Sequence, residues 1–273
     1  MASLMEFAAM QLERETGTRS SFPEDTPADT RPASIFWSPA AYDSLAEHTE
    51  GDGSKTKAIK AKILIVGCFG AGASSIEALV PDAGVESLGL IVLPELTLRG
   101  CRGQAGKKQG LCALWRCVGD EGVVFCNVSQ DIPPERAAAF SRAVLSGVVA
   151  GRTLVIDAAP AREFGYSLDE LGSTCIKSLS TASERDAGRG PAAKDTVPPG
   201  GMVTGVAAAC VALCEMRGRC ASLHVAVTPD DGSSHAADAV TTLAAAVREA
   251  IGGGVGGLRT PAEVTGFVRE EAE

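Results

Sequence analysis

From residue 62 onward the chain alternates two hydrophobic patterns. ILIVG (63–67), LGLIVL (88–93), TLVID (153–157) and ASLHVAV (221–227) are nearly unbroken apolar runs, too short for helices. Runs of this kind mark strands covered on both faces. LCALWRCV (111–118) and GVVFCNVS (122–129) flank Gly119-Asp120-Glu121 and predict a hairpin. Helical periodicity fills the gaps. Asp131 is the expected cap of a helix opening with Pro133-Pro134, whose apolar stripe is Ala137, Phe140, Val144 and Val148. A second helix is expected from about Met202 to Met216. In a third, capped by Ser233 or Ser234, Val240, Leu243, Ala244, Val247 and Ile251 share one face, and glycines 252–254, 256 and 257 end it. Strands alternating with crossover helices predict an α/β fold: a three-layer α/β/α sandwich with a largely parallel or mixed sheet that includes one hairpin.

The pattern is uneven at the ends. Residues 1–58 carry PEDTPADTRPAS and EGDGSKTK with little periodicity, and read as a flexible, largely disordered N-terminal arm. Two short ordered pieces are expected inside it, a helix near Met5 to Glu15 and the segment IFWSPAAY (35–42). The α/β domain then spans 59–255, and 256–273 form a C-terminal tail. Within the domain GSTCIKSL (172–179) is a weaker element, and the polar stretch 181–201 after it reads as a mobile loop.

Charge narrows the function classes. Lys and Arg number 25 against 34 Asp and Glu, a net charge of -9. Neutralising phosphates needs a basic surface, so neither nucleic acid nor an acidic membrane is an expected partner. The local basic stretch from Arg99 to Arg116 lies among glycines and reads as a solvated loop. The opening MASLMEFAAMQLERE lacks the apolar run of a signal peptide, and the weakly polar stretch 200–214 is too short to span a bilayer. Nine cysteines without a secretory signal fit a reducing compartment. With three histidines and no CxxC pair, the cysteines read as small buried hydrophobes and no metal is expected.

One stretch invites a chemical reading. In ILIVGCFGAGASS, Gly67 and Gly72 have phosphate-loop spacing, and Ser74 stands where the loop's Mg²⁺-binding hydroxyl belongs. Asp157, ending TLVID, looks like the matching acid at a strand's carboxyl end. The lysine that reaches the β- and γ-phosphates is replaced by Ala73. Losing a charge-assisted contact of roughly 1.5–3 kcal/mol weakens binding about ten- to a hundredfold. The order G-x-x-G-x-G is not the dinucleotide fingerprint either. His224 inside its apolar strand reads as a satisfied sheet residue, and His235 as a solvated one. No nucleophile elbow or carboxylate pair appears, so no catalytic, cofactor-binding or metal-binding residue is assigned and no cofactor is expected.

The order of elements resembles the proteasome assembly chaperone 1/2 family, on the chaperone 1 side. KILIVG (62–67), the hairpin with its following helix, and TLVID with its long insertion carry the likeness. So does PPGGMVTGVAAACVALCEMRGRCASLHVAVTPDDGSSHAADAVTTLAAAV, which is similar to that family's closing helix, short turn, strand and helix. The resemblance implies a non-enzymatic protein, cytoplasmic and also nuclear. It would form a heterodimer with proteasome assembly chaperone 2, bind proteasome α-subunits, and promote assembly of the 20S core particle's α-ring. The hydrophobic-tyrosine-any-residue tail of some such chaperones has no match in the closing Glu271-Ala272-Glu273. The alternative is a P-loop-like nucleotide-binding protein or hydrolase using the Gly67–Ser74 loop and Asp157.

Overall fold

The structure, a computed structural model, describes residues 32–49, 55–81, 85–94, 112–117, 120–166, 173–192, 195–229, 235–251 and 258–272. Two long strands dominate it, β3 (Lys55–Gly67) and β7 (Val148–Pro160), each 13 residues. They pair in parallel over most of their length, from Ile59–Val148 to Gly67–Ile156. On the far side of β3 lies β6 (Asp120–Asn127), also parallel; on the far side of β7 lies β9 (Ala221–Thr228), parallel again. This four-strand parallel centre is extended by antiparallel partners. β5 (Cys112–Cys117) forms the expected hairpin with β6, then come β4 (Val85–Val92) and β1 (Ser34–Trp37); β8 (Cys175–Ser180) borders β9. β2 (Ala46–Thr49) pairs with the opening residues of β3. The sheet is therefore mixed, as the sequence pattern predicts.

Alternation along the central strands separates two cores. Leu64, Val66, Val124, Cys126, Val155, Leu223 and Val225 point to one face, where α3 (Pro134–Gly147) and α5 (Gly205–Met216) cover them with Phe140, Val144, Cys210 and Cys214. Ile65, Phe125, Leu154 and Ile156 point to the other. There α2 (Ala71–Leu79), α6 (His235–Ile251) and α7 (Pro261–Ala272) close over them with Ile76, Leu79, Leu243, Val247 and Val264. Helices on both faces make the three layers. Phe125 and Phe140 are each fully buried, each worth about 3–5 kcal/mol against alanine.

Several expectations shift on detail. The sheet reaches into the arm: IFWSPAAY forms β1 and the one-turn helix α1 (Pro39–Tyr42), capped by Ser38. Phe36 is buried against the α2–α6 core, which explains why this segment orders. The piece near Met5 to Glu15, and Arg99 to Gly110 of the basic stretch, lie outside the described residues. Arg116 of that stretch is in β5 and pairs with Glu86 at 2.8 Å. The expected tail contains α7, which packs on α6. Asp131 does not cap α3; Pro133 holds the cap position, its fixed φ of -52° setting the entry without a side-chain bond.

The expected mobile loop is the largest difference. It opens with α4 (Ala182–Asp186), capped by Thr181, and is fastened by Glu184, whose side chain is fully buried. Arg152 Nε donates to Glu184 Oε1 at 2.6 Å, and Arg189 donates to the same carboxylate through Nε and Nη2 at 3.1 and 3.0 Å. A buried carboxylate held by two guanidinium groups is a structural pin. Composition hid it, because the pairing partner Arg152 lies 32 residues upstream.

Candidate functional site at the carboxyl end of the parallel strands

In an open α/β sheet the loops beyond the carboxyl ends of the strands form the ligand crevice. Here that end is built from the turn after β3, the last residues of β6, and the end of β7. β3 stops at Gly67, and only Cys68, Phe69 and Gly70 separate it from α2. Gly70 takes φ 87°, a conformation available in practice only to glycine, and so reverses the chain into the helix. The helix then starts one residue before Gly72, not beyond a wide loop.

Close packing surrounds two of the turn's glycines. A Cβ on Gly72 would lie 2.5 Å from the carbonyl oxygen of Ile156, and one on Gly67 would lie 2.6 Å from that of Gly72. The first turn of α2 is thus pressed onto the ends of β3 and β7. Three amides around the turn bond within the fold: Cys68 donates to Ile156 at 2.9 Å, Ala73 to Cys68 at 2.6 Å, and Ser74 to Gly70 at 3.0 Å. A phosphate loop needs such amides turned toward the ligand. Ser74 is exposed to solvent, and its neighbour Ser75 is buried, donating to the carbonyls of Ala71 and Val240. Gly67, Gly72 and Ser74 keep the spacing of a phosphate loop, then, but the two glycines pack helix against strand and Ser74 faces solvent.

Asp157 does sit where the sequence places it, half-buried one residue beyond the Gly67–Ile156 pair. Burial pushes its carboxyl up to about 7; the Ala158 N–H, 2.8 Å from Oδ1, opposes this, and the nearby Glu163 adds to it. The Cys68 thiol is raised well above its ordinary value, first by burial and then by Asp157. Two groups held toward their protonated forms are a poor set for a divalent cation, which needs ionised ligands. Cys126 and Cys210 are raised for the same reason, Cys210 to about 12. These buried thiols pack as hydrophobes.

Asn127, which the sequence does not single out, ends β6 fully buried and donates through Nδ2 to Glu77 of α2 at 2.7 Å, tying strand to helix. Its only sequence signal is a polar residue closing an apolar strand. His224 lies on β9, half-buried, with Nδ1 2.7 Å from the Ser178 hydroxyl of β8. Burial, then the Arg152 charge, lower its pKa, so it is a neutral, satisfied sheet residue. The backbone of His235 opens α6. Among the described residues no three His, Cys, Asp or Glu side chains converge as a metal site, and no helix is long and apolar enough to cross a membrane.

No protein-family model matches the chain, and no curated protein matches it by sequence. Solved structures do match it by shape. PbaA of Pyrococcus furiosus, described as an archaeal homolog of proteasome-assembly chaperone, superposes with a TM-score of 0.59 at 12% identity, over 89% of this chain and 93% of its own. PbaB of the same organism, described as an archaeal proteasome activator, gives 0.54 at 11% identity over 89% and 97%. A PAC2 family protein from Streptomyces avermitilis gives 0.51 at 14% identity over 77% and 92%. The chain shares their fold. The likeness spans nearly the whole of each neighbour.

Proposed function

We propose that the protein is a non-enzymatic assembly chaperone acting on the proteasome. Its finer form is that it pairs with proteasome assembly chaperone 2, binds α-subunits, and promotes formation of the α-ring of the 20S core particle in the cytoplasm and nucleus. The observation that carries this reading is the near end-to-end likeness to PbaA. A shared fold is an argument by analogy; the seating of Gly67 and Gly72 against backbone carbonyls adds that this turn packs helix against strand.

The test is a native pull-down of the full chain from its own cells with mass spectrometry of what co-purifies. Recovery of a second chaperone of this fold together with α-subunits, without mature proteolytic particles, supports the reading. Recovery of the chain alone, stabilised against heat by Mg²⁺ and a nucleotide, overturns it and returns Gly67–Ser74 and Asp157 to a nucleotide site.

A further inference from the structure

The last helix is held differently from the rest of the domain. α7 packs on α6 and α2 and joins their apolar cluster. Along α6, Ala239, Val240, Leu243, Ala244 and Val247 are all buried. Along α7, among the described side chains, only Val264 is buried; Phe267 and Val268 are half-buried, and Pro261, Ala262, Glu263 and Gly266 are exposed. Elements with so few buried apolar side chains occupy the low end of a protein's local opening free energies.

The polar fastening gathers on one residue. Arg259, half-buried just before α7, donates its backbone N–H to the Leu79 carbonyl at 2.8 Å. Its Nη1 donates to the carbonyls of Glu77 and Ala78 at 2.9 and 3.1 Å. These carbonyls close α2, where a helix leaves acceptors unpaired and carries the negative end of its dipole. The same guanidinium lies 4.5 Å from the centre of the Phe267 ring, and Arg248 of α6 donates to the Arg259 carbonyl. One arginine thus ties α7 to both neighbouring helices. The start of α7 is self-sufficient: the Thr260 N–H donates to Glu263 Oε2 at 2.6 Å and the Glu263 N–H to Thr260 Oγ1 at 3.4 Å, a reciprocal capping box.

We infer that residues 258–272 are a detachable strap, and that the α2–α6 groove beneath it accepts in exchange an amphipathic helix of a partner with a cationic residue just before its first turn. The strap itself defines that chemistry. The cation meets the carbonyl end of α2, and apolar side chains spaced as Val264, Phe267 and Val268 are, at i, i+3 and i+4, fill the groove. A helix of 12 residues is marginal in isolation, so strap and rival both gain their order on docking. The inference rests on this packing and not on the proteasome reading.

The experiment has two readings, both on the full chain. In hydrogen exchange followed by mass spectrometry, the amides of α7 should exchange about a hundredfold faster than those of α2 and α6; equal protection overturns the inference. The second reading is the fluorescence anisotropy of a labelled peptide with the sequence of residues 258–273. The wild-type chain binds it weakly, because its own strap competes. Val264→Asp or Arg259→Ala in the chain, with folding checked by circular dichroism, unseats the strap and raises the affinity for the wild-type peptide about tenfold. A peptide carrying Val264→Asp binds none of the three chains. Fast exchange of α7 without peptide binding is ordinary fraying of a terminus and overturns the groove. So does a peptide that binds all three chains equally.

Discussion

Gly72→Ala is the sharpest test of how the glycine turn is used. Gly72 does not have positive φ, so alanine meets no backbone strain there. In an exposed helix the change would stabilise by about 0.5–1 kcal/mol through helix propensity. Here the new methyl would lie 2.5 Å from the Ile156 carbonyl oxygen, which is backbone and cannot rotate away. The first turn of α2 must back off by roughly 0.9 Å to reach ordinary contact at 3.4 Å. Ile76 and Leu79, both fully buried, move with it. Overpacking of this kind costs about 1–3 kcal/mol. Set against the propensity gain, the expected net loss is about 1–2 kcal/mol, a fall in Tm of about 3–6 °C. Gly266→Ala in α7 is the control, since nothing lies within 4 Å of the Cβ it would add; it should be neutral or raise Tm slightly. Both are read by thermal unfolding followed by circular dichroism. A Gly72→Ala protein as stable as wild type, or more so, would refute the close approach and reopen the turn as a ligand loop.

Other outcomes follow from the same geometry. Glu184→Ala leaves Arg152 without its carboxylate in a half-buried site and should cost about 3–5 kcal/mol, whereas Arg189→Ala, which removes the more exposed partner, should cost about 1 kcal/mol or less; urea titration separates them. Asp157 binds its proton more tightly folded, at about 7, than at its ordinary 3.8, so its contribution to stability is complete below pH 4 and is lost as pH rises through 7. Asp157→Asn should therefore be more stable than wild type at pH 8, by about 1–2 kcal/mol after allowance for its partial exposure, and should not be more stable at pH 4; equal curves at both pH values would contradict the burial argument. Differential scanning fluorimetry with Mg²⁺ and ATP or GTP should leave Tm unchanged, and a dose-dependent rise that Gly72→Val abolishes would argue for a nucleotide site.

What could be read in advance depended on the range of the interaction. The central strands are mostly apolar runs, because burial on both faces leaves few polar positions, and such runs stand out in Leu64–Val66 or Leu154–Ile156. The hairpin announced itself through its polar turn. Long-range polar pairing did not. Nothing near Glu184 shows that Arg152 will meet it, and nothing near Asn127 names Glu77, so the stretch after β8 looked solvated and the end of β6 unremarkable. The glycine turn was half legible. Its spacing was visible, while the step that decides its use, Gly72 seated against the Ile156 carbonyl, joins residues far apart in sequence.

The interleaving of the sheet also bears on how the chain is made. β3 sits between β6 and β7, which are synthesised much later, and α2 hands a hydrogen bond from Ser75 to Val240, 165 positions downstream. During translation the apolar surfaces of β3 and α2 must therefore wait, uncovered, until nearly the whole chain has left the ribosome. Long waits of this kind slow folding and leave sticky surface open to collision. Nascent chains stalled before α6 should engage general chaperones and resist release, while the full-length product folds in one late, cooperative step.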